Sequence, residues 1–254
     1  MVQVARTIPG KKSRDPGRIP VIDIFAGAGG LGEGFSSFPE RGQSLFDVRL
    51  SIEKESVALD TLRLRSFFHL FPDGDAPPEY YSFIQSNGAK DLEIFSSRFR
   101  QDWKTASERV LNLEFGAEGF DEVRLDSAIE ASVGSDQRDW VLVGGPPWQA
   151  YSHAGRSSRR AKGDYRPEED KRHFLYEEYL RIIARHWPAV VIMENVQGIL
   201  SSRIGGRKIF GNILRDLADP AGVFGDRRRT HSERYRYRLY PLAAEHGEPD
   251  LFGY

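Results

Sequence analysis

The side chains in this chain that could do chemistry sit where apolar runs stop. Glu53 follows the run Leu45–Ile52 and precedes a helical pattern. An acidic group at the tip of the second strand of an α/β unit is placed to accept hydrogen bonds from ribose hydroxyls. Its other use is helix N-terminal chemistry, with Ser51 as a cap. Glu194 follows Ala189–Met193 and opens the loop ENVQG. A carboxylate at the carboxyl end of a strand in a doubly wound sheet is a pocket group. Between the two lies VLVGGPPWQAYS, residues 141–152. Gly144 and Gly145 permit torsions or close approaches that a side chain prevents, while Pro146 and Pro147 fix their own φ and restrict the residues before them. That is either a rigid turn delivered to the carboxyl edge of a sheet or an ordinary strand-ending turn. Asp126 is either a strand-end group beside a cofactor ring or a turn or cap residue.

These groups need a scaffold, and the chain reads as one. Pro20 opens VIDIFAGAGGLGEGFSS, a short buried-strand pattern followed at once by Gly27, Gly29, Gly30, Gly32 and Gly34. Such density lets backbone lie against a ligand before a helix begins. The loop has no lysine in the phosphate-loop position, and GAGGLGEG is not the dinucleotide fingerprint. After Glu53 a helix is expected through Phe68, with Val57, Leu59, Leu62 and Leu64 as its apolar positions. Residues 70–118 read as a loop and one or two helices inserted between sheet elements, serving as a lid, a dimer contact or decoration. Residues 152–169 are polar, arginine-bearing and suited to a mobile active-site loop. A helix over 172–187, with Phe174, Leu175, Tyr179, Ile182 and Ile183 inward, is stopped by Pro188, and another helical segment runs through Leu217. The alternation YRYRLYPL reads as a strand, so its aromatic and basic mixture reflects sheet geometry more than a stacking platform. Residues 1–19, basic and broken by two Pro-Gly pairs, read as a flexible arm, with phosphate contact as a second reading.

Composition narrows the classes. A chain of 254 residues with 39% apolar content buries a real core, most simply as one α/β domain over 20–254 with the insertion at about 70–118. The formal charge of −1 offers no polycation argument for nucleic acid, yet residues 203–238 hold ten basic and four acidic side chains, nearly all the bases arginine. Arginine's planar fork suits phosphates and base edges, and such a run is equally a solvated face. There is no cysteine. That removes disulfides, thiolate metal sites and a cysteine nucleophile, and no metal site is expected. With no membrane-length apolar run and no signal-peptide core at the start, an intracellular, cytoplasmic protein is expected, nucleoid-associated if bacterial.

Four segments in this order resemble the catalytic domain of DNA cytosine-5 methyltransferases: DIFAGAGGLGEGF (23–35), Glu53 after the second strand, GGPPWQAYSHAGR (144–156) and MENVQGIL (193–200), with LYEEYLRII between the last pair. The matched frame spans roughly residues 20 to 220 apart from 70–118. The resemblance implies a Rossmann-like, mostly parallel sheet with helices on both faces and S-adenosylmethionine as cofactor. Phe25, Gly27, Gly29 and Gly30, with Leu31 in the same segment, would surround its methionine part. Glu53 would hold the ribose hydroxyls, Pro147 would border the pocket, and Asp126 joins this cofactor set. The substrate implied is a cytosine flipped out of double-stranded DNA. Glu194 would hold its amino group and ring nitrogen 3, Asn195 would help fix the loop carrying the proline pair, and Pro146 belongs to that catalytic loop.

The resemblance departs at one position. Family members carry cysteine after the proline pair; this chain carries Trp148. Carbon 5 of cytosine is a poor nucleophile until a thiolate adds at carbon 6, and an indole has no equivalent lone pair. Three readings follow: a catalytic domain whose nucleophile is replaced, a retired DNA-binding or partner-binding homologue, or an amino-directed methyltransferase using the PPW loop. In the last, Gly145 stands where such loops carry Asp, Asn or Ser. Trp148 itself either plugs the space of a flipped base or stacks on one. The resemblance also implies a glutamine-arginine-rich segment and a target-recognition region after YRLYPLAAEHG; neither is in the sequence, which leaves three readings: a second polypeptide carrying them as partner, residues beyond Tyr254, or function without them. An oxidoreductase leaves the PPWQ and ENV loops without a use, and a zinc deaminase needs a ligand set the chain lacks.

Overall fold

A computed structural model describes residues 2–6, 17–40, 43–71, 75–86, 91–134, 139–145, 172–194, 203–204, 207–208, 210–224 and 236–241. The chain begins with a correction. Val2–Arg6 forms strand β1, antiparallel to two other strands, so these residues are not a flexible arm. The apolar residues Val2 and Val4 alternate with Gln3, the period of a strand.

The chain divides into two compact units. One comprises Pro16–Glu114 and Val123–Ser135. Here β2 (Ile19–Ile24) leads through the glycine loop into helix α1 (Gly30–Ser36), and a short hairpin, β3 (Pro39–Glu40) with β4 (Gln43–Ser44), returns to β5 (Phe46–Glu53). Strand β5 pairs in parallel with β2, with a register shift between Val21 and Ile22. Val21, Ile22, Ile24 and Ile52 are wholly buried, as a parallel strand covered on both faces requires. Each contributes roughly 2 kcal/mol relative to exposure.

Helix α2 (Ser56–Phe68) buries Leu59, Leu62 and Phe67. Val57 is 82% exposed, so it is not one of the core positions expected of it. The stretch read as an insertion holds α3 (Pro78–Gln85), α4 (Leu92–Arg98) and α5 (Arg100–Glu108). These close an aromatic core on Phe67, with the Phe95 ring 5.1 Å away at a steep angle. Strand β6 (Val110–Asn112) pairs in parallel with β5, and α6 (Glu122–Val133) follows.

The other unit comprises Met1–Asp15, Phe115–Glu122 and Asp136–Tyr254. Strand β7 (Val141–Gly144), α7 (Arg172–His186) and β8 (Val190–Met193) form the crossover expected, with β7 parallel to β8. Tyr179, Leu180, Ile182 and Ile183 of α7 are buried, and the Tyr179 hydroxyl donates to the Ile192 carbonyl at 3.2 Å. Strands β9 (Arg203–Ile204) and β10 (Arg207–Lys208) make a hairpin before α8 (Phe210–Ala218), α9 (Pro220–Phe224) and β11 (Tyr237–Pro241). In β11, Tyr237 and Leu239 are buried while Arg238 and Tyr240 are exposed, the alternation read from sequence. The fold is mostly parallel α/β with flanking helices, of the Rossmann-like methyltransferase class. Among the described residues no helix is long and apolar enough to cross a membrane.

Candidate functional site

The glycine loop is built from residues in unusual backbone states. Phe25, Gly27 and Gly29 have φ of 56°, 54° and 84°. Left-handed backbone is open to glycine and costs other residues about 1 kcal/mol or more, so Phe25 carries strain that its surroundings must offset. Contacts from two elements, β5 and α2, hold the loop. Ala26 N–H donates to the Ile52 carbonyl at 3.1 Å. Gly27 N–H donates to Glu53 Oε2 at 2.8 Å. From α2, Arg65 Nε donates to the Ala28 carbonyl at 2.9 Å.

Of the two uses considered for Glu53, helix N-terminal chemistry is seen, and it is joined by a bond to the glycine loop that the sequence did not suggest. Its Oε1 accepts the N–H groups of Lys54 and Glu55 at 2.7 and 3.1 Å, which is chemistry just ahead of the α2 N-terminus. Its other oxygen fastens the glycine loop. Ser51 makes no cap there, because the cap position is Glu55. A carboxylate pinned by three backbone donors is preorganised, and the one acceptor site left, on Oε2, is available to a hydroxyl donor. Additional side-chain atoms at Gly27 or Gly30 would meet nothing within 4 Å, whereas one at Gly29 would lie 2.8 Å from Leu62 Cδ2. The loop thus keeps open space at some glycines and close packing at another. That suits a ligand approaching backbone and a carboxylate. Leu31 lies half-buried in the first turn of α1.

Two acidic groups behind the loop went unnoticed in the sequence reading. Asp23 is wholly buried on β2. Its Oδ2 accepts Gly32 N–H at 3.2 Å, and its Oδ1 has no partner among the described residues. Burial pushes the carboxyl up to about 7, against the lowering effect of the Gly32 bond and with help from the Glu53 charge. A charged residue inside the apolar run VIDIF was the available signal. Glu33, in the first turn of α1, accepts from Arg65 Nη1 at 2.8 Å and lies 3.1 Å from His69 Nε2. Burial pushes its carboxyl up, but the hydrogen bonds from His69 and Arg65 outweigh that and leave it below its usual range. Asp126 is corrected in position: it is buried within α6 and not at a strand end.

In the unit holding β7 and β8, register places Gly144 beside Met193, and Glu194 N–H donates to the Gly144 carbonyl at 3.0 Å. A Cβ on Gly145 would sit 2.7 Å from Glu194 Oε2 and 3.5 Å from Glu194 Cβ. The absence of a side chain at 145 is what lets this carboxylate lie against the strand end. Close approach, one of the two uses anticipated for these glycines, is realised at Gly145. Pro146, Pro147, Trp148 and Asn195 lie outside the described residues.

Residues 86–220 match the family described as C-5 cytosine-specific DNA methylase. That range includes Gly145, Trp148 and Glu194; the glycine loop and Glu53 precede it. The chain is 32% identical over 197 residues to the type II methyltransferase M.Bpa9945I of Bacillus paralicheniformis, covering 73% of this chain and 42% of that protein. It is 28% identical over 221 residues to the putative type II methyltransferase M.MjaORF1200P of Methanocaldococcus jannaschii, covering 79% and 57%. With M.BspRI of Lysinibacillus sphaericus the identity is 23% over 197 residues, covering 78% and 37%. The chain thus spans roughly two-fifths to three-fifths of the length of these three curated relatives. Matched over more than half its residues, the chain belongs to the family of C-5 cytosine-specific DNA methylases.

Proposed function

We propose that this chain carries the S-adenosylmethionine-binding and cytosine-holding parts of a DNA cytosine-5 methyltransferase, and that Trp148 deprives it of the nucleophile that reaction needs. The supporting observation is the placement of Glu194 against Gly145, one peptide bond before Pro-Pro-Trp. It puts a carboxylate at the root of the loop that bears the substituted residue. The proposed substrate is a cytosine flipped from double-stranded DNA, with Glu194 holding its amino group and ring nitrogen 3. Phe25, Gly27, Gly29 and Gly30 would enclose the methionine end of the cofactor, Leu31 would lie beside them, and Glu53 would take its ribose hydroxyls. Bound there, S-adenosylmethionine supplies an electrophilic methyl group on a sulfonium.

Trp148 is the obstacle. A thiolate adds to carbon 6 and raises electron density at carbon 5; the indole nitrogen has its lone pair in the ring and cannot do this. The chain has no other cysteine to substitute. Amino-directed transfer through the PPW motif is disfavoured by the same glycine: Gly145 has no side chain to accept from the target amine, where such loops carry Asp, Asn or Ser.

The test pairs calorimetric S-adenosylmethionine binding with a labelled-methyl assay on DNA, for the chain and for Trp148→Cys. Binding without transfer, with 5-methylcytosine formed by the variant, is the expected result. Product from the unaltered chain overturns the role given to Trp148. A silent variant that still binds cofactor overturns the single-substitution account and leaves two readings: transfer that needs the target-recognition region, or a retired partner-binding or DNA-binding homologue.

A further inference from the structure

The side chain that fixes the glycine loop from outside the sheet is Arg65, and nothing in its sequence surroundings marks it. Its guanidinium makes two bonds at once: Nε to the Ala28 carbonyl at 2.9 Å and Nη1 to Glu33 Oε2 at 2.8 Å. Glu33 is itself held by Ser37, whose hydroxyl donates to Oε1 at 3.1 Å, and by His69, one turn beyond Arg65 on α2. The fork is therefore aimed before it reaches the loop.

The peptide it grips is one that can turn over. A flip of the Ala28–Gly29 peptide rotates ψ of residue 28 against φ of residue 29, and glycine at 29 accepts either sign of φ. The flip would turn the Ala28 carbonyl off Arg65 and break the bond from Gly29 N–H to the Ala26 carbonyl, 2.9 Å long. Arg65 Cδ and Leu62 Cδ2 also pack under Gly29, 3.2 and 2.8 Å from where its Cβ would stand. Helix α2 thus supports this peptide by a charge-assisted bond on one side and packing on the other.

We infer that Arg65 is a positioning residue for the methionine end of the cofactor: it keeps the Ala28–Gly29 peptide in its observed orientation and acts on the ligand only through that backbone. The inference rests on the proposed S-adenosylmethionine site. Both Glu53 and Arg65 fasten the loop, at Gly27 N–H and at the Ala28 carbonyl, and only Glu53 is proposed to meet the ligand directly, at its ribose.

Affinities for S-adenosylmethionine by calorimetry, and for adenosine by ligand-observed NMR, test this on the full chain and on R65A, R65K and E53A. Loss of one charge-assisted bond to a backbone carbonyl corresponds to about a tenfold weaker S-adenosylmethionine complex in R65A. Adenosine, which lacks the methionine end, is expected to bind R65A and the parent alike, and E53A to lose both ligands. R65K is expected to fall between parent and R65A, since one ammonium cannot serve both Ala28 and Glu33. Equal weakening of both ligands in R65A means general damage and overturns the inference. So does an unchanged S-adenosylmethionine affinity in R65A, or an R65K indistinguishable from the parent. If E53A loses both ligands while R65A loses neither, the cofactor site stands and only the role of Arg65 falls; if the parent binds neither ligand, the cofactor site falls and takes this inference with it.

Discussion

Deprotonating Asp23 is expected to be among the largest single pH effects on the stability of this chain above pH 5. The carboxyl is wholly buried on β2, with one hydrogen bond and one oxygen unserved among the described residues. Burial, opposed by Gly32 N–H and aided by the Glu53 charge, pushes it to about 7 from its ordinary 3.8. The folded state therefore binds the proton more tightly than the unfolded chain does. Stability contributed by the protonated group is fully present below pH 4, declines as pH rises towards 7 and levels off above. At 1.36 kcal/mol per decade the whole effect is about 4 kcal/mol, of which roughly 2–3 kcal/mol falls between pH 5 and 8.

Urea unfolding at half-unit pH steps from 5 to 8 measures it, with Asp23→Asn as the reference. The amide carbonyl still accepts from Gly32, and the cost of its unpaired NH2 does not vary with pH. The difference between parent and D23N isolates Asp23 from every other titrating group. Carboxyls held low, such as Glu33 and Asp47, act in the opposite sense: their stabilisation is lost as pH falls below the ordinary carboxylate range, outside the window. Parallel stability curves for parent and D23N refute the reasoning. They would mean that Asp23 is ionised in the fold throughout, with solvent or a partner reaching Oδ1.

Gly29→Ala forces an L side chain to φ 84° and sets its Cβ 2.8 Å from Leu62 Cδ2, so it is expected to lose about 2 kcal/mol in chemical denaturation. Gly30→Ala meets nothing within 4 Å and is its near-neutral control; equal losses would refute the geometry given for the loop. Gly145→Ala should cost no more than about 1 kcal/mol, because the obstructing atom is the end of a flexible carboxylate. It should nevertheless move the Glu194 side-chain carbon resonance in NMR, and an unmoved resonance contradicts the close approach.

What could be read in the sequence, and what could not, divides along a physical line. Strands buried on both faces appear as apolar runs whatever they pack against, so β2 and β7 were legible, and β5 and β8, only partly buried, were legible from their shorter apolar runs, as were the groups at the carboxyl ends of β5 and β8. Val57 shows the limit of the same rule, since helical spacing names a face and not its depth, and that residue is 82% exposed. Val2–Arg6 was hidden by the basic, breaker-rich residues after it, although its own alternation is that of a strand. Asp126 was read by proximity to a presumed strand end, yet its spacing with Leu125, Ile129 and Val133 is that of a buried helical face.

The contacts that shape the glycine loop were less accessible still, because each joins residues far apart in the chain through backbone atoms. Gly27 to Glu53 spans 26 positions and Arg65 to Ala28 spans 37. A pattern of side chains carries no record of which carbonyl a guanidinium will find. Glycines are the partial exception. Gly29, Gly32 and Gly145 each lie where an added Cβ would come within 2.9 Å of another side chain. A missing side chain is thus the sequence's trace of a close approach, even though the approaching partner is legible only in three dimensions. Trp148 is the converse case: under the proposed reading it puts an indole where a thiol is needed, and that consequence rests on atom types alone.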